Sequence, residues 1–299
     1  MIENRGFIYS IVHLRTISAL AVLIGHLLYS QENFFPGQGL IPPIYAIWAV
    51  DLFFVISGFI MMHVSFSIPQ GSAEAKAFWY KRLVRMLPPY WVSTVAAFVL
   101  MGFYFSHKGI VQEFSADVLL KGLDSLLHSL LLIEYRAFPV NNVGWTLQYE
   151  VIFYVLCALA VWLLPSNRRA YIISAVILLA VVIGQLFAPE KTYAHYITKP
   201  VLLEFIGGAL LAQYYHHYWL KQGAPRYWFA PLLVVTGIAA IVLSAMNYPE
   251  NYLHINRWFF CGVPVLMIMA GMIFILPPNW KGPSWSLWFG EASYSFYLW

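Results

Sequence analysis

Eight apolar runs, each long enough to cross a lipid bilayer, dominate this sequence. A helix needs about 20 apolar residues to span the hydrocarbon layer. The candidate runs cover residues 14–30, 44–66, 88–106, 145–164, 171–188, 199–217, 228–247 and 257–277. Only 10% of the 299 residues are charged, whereas a soluble domain carries about 25%. The pattern predicts an all-α, polytopic integral membrane protein, organised as one transmembrane domain over residues 1–299 with no separate soluble domain.

Two further runs set the number of crossings. The stretch LLKGLDSLLHSLLLIEY, residues 119–135, either crosses and lines a polar interior with Lys121, Asp124 and His128, or lies on the surface as an amphipathic helix. A final run, WSLWFGEASYSFYLW, stops at Trp299, which predicts a last helix that is cut short. These runs leave nine or about ten transmembrane helices as alternatives.

Lysine and arginine are distributed unevenly between the connecting segments. Residues 31–43 contain neither, whereas residues 67–87 contain Lys76, Lys81, Arg82 and Arg85. The positive-inside rule therefore places the N-terminus and the 67–87 segment in the cytoplasm. If residues 119–135 do not cross, the later basic residues also fall inside, so charge alone favours nine crossings.

The first apolar run, LRTISALAVLIGHLLYS, contains an arginine and a histidine where ionisable groups are unfavourable. Arg15 and His26 are eleven residues apart, so a helix places them on nearly the same face, about 16 Å apart along its axis. One interpretation is that Arg15 extends to the cytoplasmic interface and His26 is a hydrogen-bonded interior residue. The other is a polar face that lines a cavity, with His26 as a general base.

Further ionisable residues lie inside other runs. Asp51 is either an interfacial or paired aspartate or a partner of His26, whereas His63 is predicted to be structural. Glu150 either pairs with a basic group or orients His26, and a structural role is favoured for Glu204. Each of these residues needs a partner, because an isolated charge in hydrocarbon is unstable.

The stretch KRLVRMLPPYW, residues 81–91, combines a basic cluster with a proline pair. Arg82 and Arg85 are three residues apart, so one helical turn places both guanidinium groups on one side. They either anchor the chain to anionic lipid headgroups or bind the phosphates of a cytoplasmic ligand. Pro88 and Pro89 are expected to lie at the start of the third helix, where proline is tolerated. In the second run, Ser57-Gly58 predicts a close approach of two helices.

Several classes of site have no support in the sequence. No motif indicates a metal site, a P-loop, a dinucleotide fingerprint or a G-x-S-x-G nucleophile. The net charge of +4 is spread over many segments, so a nucleic-acid partner is not expected. Cys157 and Cys261 lie in separate apolar runs and are predicted to be small buried apolar residues.

Four stretches, in this order along the chain, resemble the membrane-bound acyltransferase-3 family: LRTISALAVLIGH, VDLFFVISGFIM, KRLVRMLPPYW and GWTLQYEVIFY. The closing GEASYSFYLW is similar to the start of that family's last helix. The sequences of these stretches are most similar to the exopolysaccharide-production branch, whose members acetylate bacterial surface sugars. The resemblance implies about ten transmembrane helices, and we adopt this number over the nine that charge favours. It also implies transfer of an acyl group, commonly acetyl, from cytoplasmic acyl-CoA to a hydroxyl of a surface or exported glycan.

The resemblance also implies site residues. It assigns catalytic roles to His26, Arg15 and Glu150, and binding of the acyl-CoA phosphates to Arg82, Arg85 and Lys81. His26 would act as the general base, with Glu150 or Asp51 orienting its imidazole. If the helix of Glu150 begins on the cytoplasmic side, Glu150 would instead contact Arg15 or the CoA arm. Direct transfer and an acyl-histidine relay remain alternative mechanisms.

The implied partners are acyl-CoA as co-substrate, a glycan or lipid-linked oligosaccharide as acceptor, the lipid bilayer and polysaccharide-synthesis machinery, with no metal or permanently bound cofactor. The expected location is the bacterial inner membrane, with a cytoplasmic N-terminus. A membrane transporter or flippase, and a non-catalytic scaffold of a polysaccharide-export system, are the alternative functions. A transporter usually shows internal repeats, and none is visible in this sequence.

Overall fold

The computed structural model describes residues 8–34, 48–107, 116–133, 139–190, 192–223, 225–247, 256–277 and 280–298. The described helices are α1 Tyr9–Phe34, α2 Trp48–Phe66, α3 Ser72–His107, α4 Ala116–Leu130, α5 Gly144–Leu163, α6 Ser166–Phe187, α7 Tyr193–Ile197, α8 Leu202–Tyr214, α9 Ala230–Asn247, α10 Val263–Ile275 and α11 Ser284–Leu298. A π-helical turn, Tyr215–Trp219, extends α8, and a second, Trp258–Gly262, leads into α10.

Seven of the described helical segments are long and apolar enough to cross a membrane. They are the helices α1, α2, α3, α5, α6 and α9, and the segment Trp258–Ile275 that joins a π-helical turn to α10. Large apolar side chains are exposed along α6 and α9, as expected for surfaces that contact lipid rather than water. The prediction of an all-α, multi-pass membrane protein with about ten helices is confirmed.

We call the side of the bundle at which α1 begins the proximal side, and the opposite side the distal side. On the proximal side, the imidazole of His13 in α1 contacts Ser286 Oγ at 2.8 Å, which places the start of α11 there. On the distal side, the Tyr149 hydroxyl donates to the carbonyl of Tyr196 in α7 at 2.8 Å. These contacts show which helix ends lie on the proximal side and which lie on the distal side, and the positions of the site residues below are given relative to these two sides.

Helix α4 covers most of residues 119–135, the run that either crosses the membrane or lies on its surface. The amide of Gly71, just before α3, donates to Val161 near the end of α5, whereas Tyr90 in α3 lies against Gly144 at the start of α5. Helices α3 and α5 are therefore antiparallel, so the chain between them leaves and returns on the distal side. With 15 residues, α4 is about 22 Å long, short of the roughly 30 Å of hydrocarbon. Helix α4 packs back along the second half of α3, where the Tyr90 hydroxyl donates to Ser129. The choice between nine and ten crossings stays a prediction.

The third helix begins earlier than the sequence predicted. Pro88 and Pro89 were expected at its start, yet α3 is continuous from Ser72 and contains both prolines. Membrane helices tolerate internal proline, and one turn of α3 beside the pair is held from outside, because the Tyr294 hydroxyl of α11 donates to the Met86 carbonyl at 2.6 Å. The 67–87 segment is thus mostly helix, which fixes Arg82 and Arg85 on a rigid element.

Buried Arg169 joins three helix ends on the proximal side. Its side chain is 1% exposed and donates to the backbone carbonyls of Ser65, Ile68 and Leu164. Because the last carbonyls of a helix have no partner within that helix, this guanidinium satisfies groups at the ends of α2 and α5. Arg169 is therefore a structural residue.

The closest helix pair is α2 with α8, and glycine makes the approach possible. A Cβ atom added at Gly58 would overlap the carbonyl of Phe205, and one added at Gly208 would overlap the carbonyl of Val55. Small residues let membrane helices pack backbone against backbone. The prediction that Ser57-Gly58 marks a close helix approach is confirmed.

Replacing Gly208 with alanine is expected to separate α2 from α8 and to destabilise the protein by about 1–3 kcal/mol, as for other overpacked cores. Thermal unfolding of the purified protein in detergent, followed by loss of monodisperse protein, measures the change. Gly102→Ala is the matched control, because a Cβ at Gly102 meets nothing within 4 Å. Equal melting temperatures for both variants would contradict the packing argument.

Candidate active site

A cavity of about 110 Å³ lies between α1, α2, α3, α5 and α11. Its polar lining residues are Arg15, Ser57, Arg82, Arg85, Thr146, Glu150, Tyr154, Ser293 and Tyr294. We call it the arginine cavity. Sites that enclose a whole drug-sized ligand measure about 300–1,000 Å³, so this cavity fits one part of a ligand, such as a phosphate group or a narrow chain.

Helix α2 shows how far the arginine cavity extends through the bundle. The lining residues of α2 run from Val50 near its distal end to Met61, eleven residues or about 16 Å along the helix. The distal part of this wall is apolar, with Val50, Phe53 and Phe54. The cavity is therefore elongated along the bundle.

Three arginines from two helices line this cavity. Arg15 comes from α1, and Arg82 and Arg85 come from α3, where their spacing of three residues places them on one side as predicted. No described residue forms a salt bridge with any of the three, and the buried Nε of Arg82 has no hydrogen-bond partner. The Arg82 guanidinium lies over the Phe78 ring, 5.4 Å from the ring centroid.

Glu150 is the carboxylate of the arginine cavity. It accepts a hydrogen bond from Ser57 Oγ at 3.1 Å and another from the Tyr154 hydroxyl. These two neutral donors hold the carboxylate in place, and no described residue forms a salt bridge with it. With three guanidinium groups and one carboxylate, the cavity is electropositive and suited to an anionic group. Sequence reasoning did not single out Tyr154, which lies one helical turn after Glu150.

Lys81 does not line this cavity. Its side chain is exposed on α3, next to Arg82 in sequence but on a different side of the helix. A lysine there can add to the positive potential at the proximal end without contacting the bound group.

His26 lies well beyond the arginine cavity. The Ser18 hydroxyl of α1 donates to the carbonyl of Ala49, so Ser18 is level with the distal end of α2. His26 is eight residues further along α1, about 12 Å more distal, and its side chain is exposed among the described residues. Residues 35–47, which connect α1 to α2, lie outside the described part of the chain. The structure thus groups Arg15, Arg82, Arg85 and Glu150, but not His26.

The depth of Glu150 bears on its predicted role. Ser57, its hydrogen-bond partner, is eight residues proximal to Ala49 on α2, so Glu150 and His26 are separated by about 24 Å along the bundle. Glu150 therefore shares a cavity with Arg15 and does not lie beside the imidazole. The alternative that placed Glu150 near Arg15 assumed a helix starting on the cytoplasmic side, but α5 starts on the distal side. The catalytic roles of these residues stay predictions.

Asp51 belongs to a separate buried cluster near the distal side. Arg257 Nε donates to Asp51 Oδ1 at 2.6 Å, and the Arg257 guanidinium lies over the Trp145 ring, 5.4 Å from its centroid. Asp51 is 0% exposed and Glu204, beside it, is 3% exposed. Of the two interpretations of Asp51, the paired aspartate agrees with the structure. Sequence reasoning missed Arg257 because it stands at the edge of an apolar run, with its partner 206 residues away.

His63 lies at the proximal end of α2 in an aromatic cluster. Its ring stacks on Phe59 with centroids 5.9 Å apart and contacts His216 edge to face at 6.0 Å. The described residues contain no group of three His, Cys, Asp or Glu side chains that could hold a metal ion. Cys157 and Cys261 are buried and unpaired, as predicted.

A family model described as an acyltransferase domain, Acyl_transf_3, matches residues 8–299. The chain belongs to the acyltransferase-3 family. The predicted resemblance is confirmed, and the match covers the arginine cavity, His26 and the Asp51 cluster alike. The protein is a membrane acyltransferase, so an acyl donor and an acceptor must both reach the bundle.

Named relatives agree with this membership. The exopolysaccharide production protein ExoZ of Rhizobium meliloti is 29% identical to the chain over 261 residues, which cover 84% of this chain and 74% of ExoZ. The peptidoglycan O-acetyltransferase OatA of Listeria monocytogenes is 23% identical over 321 residues, covering 99% of this chain and 49% of OatA. The chain thus spans about half the length of OatA. No solved structure matches the chain.

Proposed function

We propose that the protein transfers an acyl group, most simply acetyl, from cytoplasmic acyl-CoA to a hydroxyl of a surface or exported glycan. The observation that carries the proposal is the arginine cavity, in which Arg15, Arg82 and Arg85 line one space with a single carboxylate and form no salt bridge with any described residue. The name of OatA, an O-acetyltransferase, and that of ExoZ, an exopolysaccharide production protein, support an oxygen acceptor on a bacterial surface polymer. The corresponding location is a bacterial inner membrane.

The proximal side is the donor side in this proposal. The basic stretch 67–87 begins on the proximal side, where the Gly71 amide donates to Val161, so the positive-inside rule makes the proximal side cytoplasmic. Arginine forks match the oxygens of phosphate groups, and CoA carries its phosphates at one end of a long flexible arm. With the phosphates at Arg82 and Arg85 and Lys81 nearby, the arm runs distally past Arg15.

The distal side is then the acceptor side. Neutral His26 takes the proton of an acceptor hydroxyl as its oxygen attacks the thioester carbonyl; the carbon–sulfur bond breaks, and the CoA thiolate leaves and is protonated. Beyond Arg15, the CoA arm extends about 16 Å further along α1 to the level of His26. Positioned base catalysis of this kind accelerates a reaction by about 10²–10⁴-fold.

Glu150 is proposed to position the donor. Its carboxylate is held by Ser57 and Tyr154 inside the arginine cavity, so it can orient Arg15 and the other guanidinium groups around the bound phosphates. This role differs from orientation of His26, from which Glu150 is separated along the bundle.

Labelled acyl-CoA tests the function directly. Membranes containing the protein, from a host that makes its own surface polysaccharide, are supplied with acetyl-labelled CoA, and label in the carbohydrate fraction is measured. Label that depends on the protein supports the proposal. A transporter would move its cargo without adding a covalent acyl group, so it would leave no label. No label with either acetyl-CoA or succinyl-CoA would reject the assigned donor class.

Replacing Arg85 with alanine is expected to raise the KM for acyl-CoA by about 10–100-fold, because a hydrogen bond to a charged group contributes about 1.5–3 kcal/mol. The KM for the acceptor should change little, since the acceptor binds at the distal side. Initial rates over a range of acyl-CoA concentrations give the measurement. Lys76→Ala is the control, because Lys76 is exposed on the same helix and does not line the cavity. An unchanged KM in Arg85→Ala would reject the phosphate site.

A further inference from the structure

The last described helix, α11, forms one wall of the arginine cavity. Ser293 and Tyr294 of α11 line the cavity. The Tyr294 hydroxyl also donates to the Met86 carbonyl at 2.6 Å, next to Arg85 on α3. Because the cavity measures only about 110 Å³, a small displacement of this wall would change the space around the arginines. The position of α11 is therefore part of the geometry of the donor site.

His13 of α1 holds the beginning of α11. Its Nε2 lies 2.9 Å from the Lys281 carbonyl, and its Nδ1 lies 2.8 Å from Ser286 Oγ, in the first turn of α11. A carbonyl oxygen only accepts hydrogen bonds, so Nε2 donates, and in the neutral imidazole Nδ1 then accepts from the Ser286 hydroxyl. His13 is 5% exposed, and both of its ring nitrogens contact the α11 region. The imidazole thus joins α1 to the start of α11 and to the segment before it.

The surroundings of His13 are shaped for this contact. The Thr16 hydroxyl, one turn further along α1, donates to the Ser286 carbonyl. A Cβ atom added at Gly290 would overlap the backbone of α1, so glycine permits the close approach of the two helices. Gly282 has a φ of +63°, and a Cβ atom there would overlap the His13 ring. The fit of α11 on α1 therefore depends on contacts at one short part of α1.

We propose that His13 is a positioning residue for donor binding, because it holds α11 against α1 and thereby holds the wall that Ser293 and Tyr294 form. His13 is not among the described lining residues of the cavity, so it acts through α11. A binding site that is complete in only a fraction of the molecules has its apparent affinity reduced by that fraction. The inference rests on the proposed function for the identity of the ligand, acyl-CoA, whereas the attachment of α11 by His13 does not.

His13→Leu and His13→Gln are a matched pair of variants, since the two side chains are similar in size and only glutamine forms hydrogen bonds. The glutamine amide nitrogen is as many bonds from Cα as Nε2, so it can donate to the Lys281 carbonyl. We expect His13→Leu to raise the KM for acyl-CoA by about 3–10-fold, the effect of losing one or two neutral hydrogen bonds, with little change in kcat. His13→Gln should restore a KM near that of the wild type. Equal KM values for the two variants would overturn the role of the hydrogen bonds.

A pair of glycine variants tests the same contact from the other side. Gly282→Ala adds a Cβ atom that displaces the His13 ring, and should raise the KM for acyl-CoA as His13→Leu does. Gly223→Ala is the control, because Gly223 has a φ of +77° and a Cβ atom there meets no described atom within 4 Å. Both variants carry the backbone strain of a left-handed residue, and only one disturbs His13. Equal KM values for the two glycine variants would contradict the proposal.

A double variant tests whether His13 acts through α11. Tyr294→Phe removes the hydroxyl that joins α11 to the Met86 carbonyl of α3, and should also raise the KM for acyl-CoA. If His13 acts by holding α11, His13→Leu combined with Tyr294→Phe should have a KM close to that of the more impaired single variant. Independent sites would instead give increases in KM that multiply. A multiplied increase would overturn the connection between His13 and the cavity wall.

Hydrogen–deuterium exchange of the protein in lipid nanodiscs separates this inference from the proposed function. Without any substrate, peptides of α11 should exchange faster in His13→Leu than in the wild type, and His13→Gln should restore the slower exchange. Circular dichroism and monodispersity confirm that the variants fold. Unchanged exchange in His13→Leu, or faster exchange with an unchanged KM, would overturn the positioning role. If the wild-type protein transfers no acyl group while exchange of α11 depends on His13, the proposed function fails and the attachment of α11 stands.

Discussion

His26→Ala is expected to reduce acyl transfer to the carbohydrate fraction by about 10²–10⁴-fold, the usual contribution of a positioned general base. The physical reason is the position of His26 on α1, distal to Arg15 and on nearly the same helix face. A donor arm that passes Arg15 reaches this level, and imidazole is the side chain whose proton affinity suits a base near neutral pH. Label transfer from acetyl-labelled CoA in membranes with equal amounts of protein gives the measurement.

A matched histidine variant controls for non-specific effects. His128→Ala removes an imidazole from α4 that contacts the carbonyl of Asp124 and does not line the arginine cavity, so its activity should equal that of the wild type. Full activity in His26→Ala would reject the general-base assignment. Trapping of acyl-labelled His26 after a rapid acid quench would instead support the acyl-histidine relay.

The second large effect is expected from Arg257→Met, on stability rather than on chemistry. Arg257 is bound to Asp51, which is 0% exposed, with Glu204 beside them. Removing the cation leaves two buried carboxyl groups without compensation, and breaking a buried ion pair in this way costs about 3–5 kcal/mol. We expect low levels in the membrane and a strongly reduced melting temperature in detergent.

Two variants make the Arg257 prediction specific. Arg226→Met removes an exposed arginine from the segment before α9 and should behave as the wild type. The double variant Asp51→Leu with Arg257→Met replaces the pair by apolar groups and should recover much of the stability, since such replacements are often neutral or stabilising. A melting temperature of Arg257→Met equal to that of Arg226→Met would contradict a stabilising ion pair.

The proposed function gives different roles to the two sides of the bundle. In the proposal the anionic donor enters the arginine cavity from the proximal side. His26 lies toward the distal side, about 24 Å from the level of Glu150 along the bundle, and the acceptor is proposed to bind there.

The sequence by itself determined the features that depend on composition and on local spacing. Long apolar runs with few charges can only be membrane helices, and the three-residue spacing of Arg82 and Arg85 puts them on one helix side. The Ser57-Gly58 pair likewise predicted a close helix contact, because glycine has no side chain to keep two helices apart. These inferences involve residues within one or two turns of one another.

Tertiary structure alone decided which polar residues meet. Asp51 pairs with Arg257 across 206 residues, and Glu150 is held by Ser57 and Tyr154 rather than by a basic group. Helix α3 continues through Pro88 and Pro89, and the Tyr294 hydroxyl of α11 donates to the Met86 carbonyl just before them. Such contacts follow from which helix faces pack together, and in hydrocarbon many apolar faces are nearly equivalent. The sequence pattern of one helix therefore does not predict which residue of another helix will pair with its buried charge.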